Sequence, residues 1–294
     1  MIMKGNLLFF FFLGSTLSSL SLYAQQNQDP GTDWTALESL TSMDRDCLYG
    51  DVCDFDFSEY ITTMNIAQLE SALTFEERAT AINGSQNNDR TSGLYFELAK
   101  RHLYTYLEQG EEDLLVPVID NAERALAVAP TSTEMRLEQL RFLGSIYYDL
   151  RIFDNYDLLA FEKLLEAVEL DPSDRYTSIL FMDLTEAMGL ASYAYERAHY
   201  FLLNDTVWFL DELAEKYIIL AATAEQLDAS MNDLNWLDFQ FRLGTEAYPD
   251  RLALLSAGLH VMRSDLDTAH RLIDGYEGDR DDPLYLRLRS TLEP

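Results

Sequence analysis

The stretch LEQLRFLGSIYYDLRIFDNYDLLAFEKLLEAVELDP, Leu137–Pro172, decides the fold. Gly144, Ala160 and Ala167 are small enough to let two helix backbones approach, while Leu143, Tyr147 and Leu164 fill the space that remains. Pro172 stops the second helix, because its ring fixes φ and removes a backbone donor. The stretch therefore predicts two packed helices joined by a loop.

The order of these residues resembles the tetratricopeptide repeat family, whose unit carries L-G-x2-Y in one helix and A-x3-F-x2-A-x4-P in the next. Here the first half reads Leu143-Gly144-x2-Tyr147. The second reads Ala160-x3-Leu164-x2-Ala167-x4-Pro172, with leucine for the aromatic and about four extra residues in the loop. Upstream, Val118-x3-Ala122-x2-Ala125-x4-Pro130 repeats the second half, 42 residues earlier. Downstream, Pro249 and Pro283 stand 34 residues apart, with Ala257, Ala269 and Ile273 at family positions and Tyr276 in place of the second alanine. The 77 residues between Pro172 and Pro249 leave room for two more units. They read as long apolar-rich helices, Arg175–Leu203 and Val207–Asp228, without a clean motif.

The resemblance covers 91–291 and is most specific in 137–172. It implies an all-α fold, an α-solenoid of antiparallel helical hairpins, with a concave surface lined by the first helix of each pair. In the best unit its register puts Glu138, Arg141, Ser145, Tyr148 and Asp149 on that groove face. They are polar and aromatic side chains suited to a peptide or an extended partner segment. The competing reading is that they are ordinary exposed helix residues.

Toward the N-terminus the chain reads as further helices. The capping box Thr131-x-x-Glu134 opens the helix that runs through Asp149. Thr91–Gln109 and Leu114–Val128 form a hairpin around Gly110, and Asn83–Arg90 (NGSQNNDR) is a loop. A second box, Thr74-x-x-Glu77, opens Phe75–Ile82 after a separate helix Ser58–Ala72. Residues 34–90 form an N-terminal helical cap. Within it Cys47 and Cys53, the only cysteines, flank a turn at Gly50 and read as a small-loop disulfide, with free thiols as the alternative. Gln25–Asp33 is a polar, disordered lead-in. Lys4, the apolar run Leu7–Leu13 and the segment Gly14–Ser21 make residues 1–24 a signal peptide with cleavage after Ala24. The run falls far short of the ~20 residues that span a bilayer, so no stable membrane insertion is expected, and the mature protein is expected in the periplasm or outside the cell.

Asp and Glu outnumber Lys and Arg by 51 to 21, a net charge of −30. Such a field repels phosphate backbones, which excludes nucleic acid as a partner class. His102, His199, His260 and His270 are scattered, and no zincin, nucleophile-elbow or phosphate-cradling motif occurs. His260 and His270 could approach one another across a helical turn. The acidic loop Asp274–Asp282 lacks the order of a calcium loop. Tyr193, Tyr195, Tyr200 and Phe201 read as core. No catalytic residue, metal site or cofactor is expected. The chain reads as an exported scaffold or adaptor that binds a protein or peptide in a bacterial cell envelope, with a periplasmic solute-binding or transport-accessory role as the alternative; the number of copies is not legible.

Overall fold

The computed structural model describes residues 61–83, 88–150, 156–244 and 249–293. The signal peptide, the lead-in, the Cys47–Cys53 loop and residues 151–155, within the loop expected to be longer than the family's, lie outside the described residues. Thirteen α-helices and no strand occur among those that are described. They gather into two compact units that divide between Ile146 and Tyr147.

The first unit holds α1 (Ile66–Asn83), α2 (Asn88–Gln109), α3 (Leu115–Ala127) and the greater part of α4 (Thr133–Leu150). Where the sequence reading had two helices, α1 is one. Its N-terminus is fixed by reciprocal bonds, Asn65 N to Gln68 Oε1 at 2.9 Å and Gln68 N to Asn65 Oδ1 at 3.0 Å. That is a capping box built from amide side chains. Thr74, expected as a cap, lies inside the helix and donates its hydroxyl to the Glu70 carbonyl at 2.9 Å. The expected loop through Arg90 is shorter, because α2 begins at Asn88. The hairpin α2–α3 turns at Gly110, where φ is +73° and a side chain would be strained. Ser132 rather than Thr131 caps α4, accepting from Met135 N at 3.2 Å. Thr131 is instead held by Asp89. The apolar cluster of this unit joins Ile61, Met64, Leu69, Ala72, Leu94 and Leu98.

The second unit runs through α5 (Tyr156–Leu170), α6 (Arg175–Ala187), α7 (Ala191–Asn204), the short α8 (Thr206–Glu212), α9 (Ala214–Thr223), α10 (Leu227–Leu243), α11 (Arg251–Met262), α12 (Leu266–Asp274) and α13 (Pro283–Leu292). The predicted long helix Arg175–Leu203 is in fact a hairpin. Leu190 N bonds the Thr185 carbonyl and Gly189 N the Glu186 carbonyl, with Gly189 at φ +74°. This is a Schellman stop, and it reverses the chain into α7. The same pair of bonds recurs after α9, with Glu225 at φ +58°, and after α11, with Ser264 at φ +62°. In those two stops a non-glycine residue takes the left-handed conformation, at a modest steric cost. The predicted helix Val207–Asp228 is likewise broken, at Leu213 and again at Glu225.

Five residues after each of these turns, on the second helix of the hairpin, begins a buried triad: Ala194, Ala198, Phe201; Ser230, Leu234, Leu237; Ala269, Ile273, Tyr276, the last of these just past the end of α12. The spacing i, i+4, i+7 is that of Ala160, Leu164, Ala167 and of Val118, Ala122, Ala125, which are buried as well. A small or β-branched residue opens every triad, so the facing helix can come close. The first helix α9 packs both against α7, the second helix of the preceding hairpin, and against α11, the first helix of the next. At the α9–α11 contact Gly258 leaves no room for a Cβ against Ile218.

Candidate partner-binding face

Burial divides α4 into two faces. Leu140, Phe142, Leu143, Gly144, Ile146 and Tyr147 are buried, and so is Gln139. The five residues nominated from the sequence lie together on the opposite stripe of the same helix: Glu138, Arg141, Ser145 and Tyr148 are half-buried, and Asp149 is exposed. Glu138, Arg141 and Ser145 belong to the first unit, while Tyr148 and Asp149 lie past the division, on the last turn of α4.

Glu138 is the most perturbed of them. Desolvation pushes its carboxyl up to about 8, Glu134 adds to the push, and Lys100 and Arg141 oppose it. At neutral pH the group is therefore mostly the uncharged acid, able to donate as well as accept. Lys100 is held elsewhere. Its Nζ lies 2.5 Å from Glu97 Oε2 and 5.2 Å from the centre of the Phe96 ring, which meets Phe142 edge to face at 5.2 Å. Arg101 reaches the other Glu97 oxygen at 3.2 Å.

Beneath this face a buried polar chain fixes the helices. Gln139 Nε2 donates to Ser92 Oγ at 2.7 Å, and Ser92 donates to the Ala125 carbonyl at 2.8 Å. One side chain from α4 and one from α2 thus lock onto the backbone of α3. A buried ion pair, Arg90 Nε to Glu76 Oε1 at 2.7 Å, ties α2 to α1. Nearby, an open cleft of about 680 Å³ lies between residues 63–67 and Arg101, Tyr104, Thr105 and Glu108 of α2.

The second unit assembles a polar network that the sequence did not announce. His199, Tyr195 and Tyr217 stack with ring planes within 24° of parallel. His199 Nδ1 lies 3.1 Å from the Tyr217 hydroxyl, and its Nε2 lies 3.6 Å from Asp233 Oδ2. Burial drives the Tyr217 phenol well above its ordinary range, which makes it a hydrogen-bonding group rather than a nucleophile or base. His260 pairs with Asp265 at 2.9 Å, and Asp282 of the acidic loop pairs with Arg251 at 2.8 Å. Among the described residues no three His, Cys, Asp or Glu side chains converge as metal ligands. Of the four aromatics read as core, Tyr195 and Phe201 are buried, Tyr200 is half-buried and Tyr193 is 43% exposed. Among the described residues no helix is long and apolar enough to cross a membrane.

The recurring turn and buried triad decide the architecture. These hairpins are tetratricopeptide-like. No family profile matches the sequence, and no curated protein does. Among solved structures, a tetratricopeptide repeat protein from Parabacteroides merdae is similar over 87% of this chain and 91% of its own, at 15% identity and a TM-score of 0.31.

Proposed function

We propose that this chain is an exported protein-interaction scaffold that holds a peptide, or an extended segment of a partner protein, along the Glu138, Arg141, Ser145, Tyr148 and Asp149 stripe of α4. The observation that carries this reading is the division of α4: its motif residues are spent on the core, while a polar and aromatic stripe on the opposite side stays half-exposed, with Asp149 exposed at its end. A tyrosine, a guanidinium and a mostly neutral carboxyl within three turns can bond a backbone in either direction and stack on a side chain. The net charge of −30 favours a protein partner over a nucleic acid. Residues 1–24, read as a cleavable leader, support work in the periplasm or outside the cell.

The test is affinity capture from the native cells with the wild-type chain and with an Arg141→Ala, Tyr148→Ala variant in parallel. A protein recovered by the first and lost by the second, with thermal unfolding unchanged, is the expected result. Recovery of the same proteins by both would sink the assignment of this face.

A further inference from the structure

His199 of α7 and Asp233 of α10 face each other without a hydrogen bond between them. The ring Nε2 and the carboxylate Oδ2 stand 3.6 Å apart, beyond the about 2.7–3.2 Å of an N–H···O bond. His260 and Asp265, by contrast, close to 2.9 Å and make an ordinary bonded pair. The protons around His199 all run away from Asp233. Ser230 gives its proton to the Gln226 carbonyl, Tyr195 gives its own to Ser230 and Tyr217 gives its own to Tyr195, so Tyr217 accepts from His199 Nδ1. A neutral ring therefore keeps its proton on Nδ1 and turns the Nε2 lone pair toward a carboxylate oxygen. Two electron-pair donors at this separation are complementary to a cation placed between them.

The spacing suits a metal ion. A nitrogen and an oxygen that share a tetrahedral ion, each at about 2.0–2.1 Å, stand roughly 3.4 Å apart, so His199 and Asp233 need close by only about 0.2 Å. The ring is already oriented. It stacks on Tyr195 at 5.5 Å with planes 17° apart, and its Nδ1–H is fixed on Tyr217 at 3.1 Å, the outer-shell bond that ligating imidazoles carry. The two side chains are 26% and 35% exposed, so water reaches the positions that the protein leaves open. Imidazole with a carboxylate suits zinc and its transition-metal neighbours, whereas magnesium and calcium take oxygen ligands. The net charge of −30 raises the local concentration of any cation.

We propose that His199 Nε2 and Asp233 Oδ2 hold a divalent transition metal of the zinc class, which water completes to four ligands and which ties α7 to α10 within the second unit. With two protein ligands rather than four the site is weak, with a dissociation constant on the order of 10–100 µM near neutral pH.

The test is a ZnCl2 titration of the purified chain, prepared without a histidine tag at about pH 7.5, followed by thermal unfolding and by the imidazole 15N shifts of His199. About 0.2 mM ZnCl2 should raise the melting temperature by about 2–4 °C. The Nε2 resonance should move with zinc while Nδ1 keeps its proton, and MgCl2 at the same concentration should do neither. Asp233→Asn keeps the shape and removes the anionic ligand, so zinc binding should weaken at least about tenfold with far-UV circular dichroism unchanged. A zinc response that this variant leaves intact would place the metal elsewhere, at Cys47 and Cys53 for instance, and overturn the proposal. An equal response to magnesium would overturn it as well. So would an Nε2 resonance that stays put up to about 1 mM zinc. If both ring nitrogens then carry protons, the pair is an ordinary ion pair.

Discussion

The Tyr217 hydroxyl sits 3.1 Å from His199 Nδ1 and 3.3 Å from the Tyr195 hydroxyl, and hydrogen-bond accounting fixes which atom gives which proton. Ser230 Oγ lies 3.0 Å from the Gln226 carbonyl, which can only accept, so Ser230 spends its proton there. Ser230 must then accept from Tyr195, 3.1 Å away, and Tyr195 from Tyr217. Tyr217 has no proton left for His199, so Nδ1 is the donor.

Imidazole 15N chemical shifts and long-range 15N–1H couplings of His199 should therefore show a protonated Nδ1. A ring protonated on Nε2 alone would contradict the direction of the chain. Tyr217→Phe removes the central link, leaving the half-buried His199 donor and the buried Tyr195 acceptor without that partner, so urea unfolding should show a loss of about 1–2 kcal/mol.

Gly258 faces Ile218 so closely that any added Cβ requires the isoleucine side chain to shift. A Cβ there would meet the Ile218 Cδ1 and lie 3.0 Å from its Cγ1, and Ile218 is buried between α9 and α11. Gly258→Ala should cost about 1–3 kcal/mol by overpacking. Pairing it with Ile218→Val removes the clashing methyl, so the double variant should lose less than the sum of the two single ones. Strict additivity in thermal unfolding would show that the two helices had already moved apart.

These contacts explain why only part of the architecture was legible. Ala160, Leu164 and Ala167 could be read because each has the size expected at its position; Val118, Ala122 and Ala125 could be read from their spacing to Pro130, with Ala122 small where the pattern has an aromatic. In α7 the triad runs Ala194, Ala198, Phe201, with the large residue moved one place along, and in α10 Ser230 stands for alanine. What recurs is burial at i, i+4, i+7, while the sizes range from Val118, Ala122, Ala125 to Ala269, Ile273, Tyr276, so a residue pattern loses what the geometry keeps. The turns at Gly189 and Glu225 went unread inside long apolar-rich stretches, since a Schellman stop is set by backbone bonds that leave little trace in composition. Of the candidate face, helical register was enough to nominate the five residues of α4. The desolvation of Glu138 was out of reach, because it depends on what surrounds α4 in space.

Asp89 does a job that no local pattern reveals. From the first turn of α2 its Oδ1 accepts from Thr131 N at 2.5 Å and from Ser132 N at 3.3 Å, and its Oδ2 accepts from the Thr131 hydroxyl. One carboxylate thus clamps the α3–α4 connection across more than forty residues of sequence. Asp89→Ala should destabilise the chain by about 1–3 kcal/mol. Hydrogen exchange should rise first at Thr131 and Ser132. If protection there is unchanged, the loop is held by the Ser132 cap alone.

Glu138 gives the α4 face a pH signature with a definite sign. Its folded-state value of about 8 lies above the ~4.3 of an unfolded glutamate. Between those values the folded chain keeps a proton that the unfolded chain has released, so the Glu138 contribution to stability falls as pH rises through that window and levels off above it. Glu138→Gln keeps the shape without the titration. Relative to wild type, the variant should gain stability steadily from about pH 5 to pH 8, by an amount on the order of 1 kcal/mol after allowance for the solvent contact this half-buried group retains. Urea unfolding of both proteins across that range makes the measurement. A difference that stays flat would show that Glu138 is hydrated and ionised at neutral pH. A cationic side chain docking on α4 would stabilise the carboxylate and draw the proton off, so binding of such a ligand near pH 7 should release a proton from the wild-type protein and none from the variant. Calorimetry in buffers of different ionisation enthalpy reads that release directly.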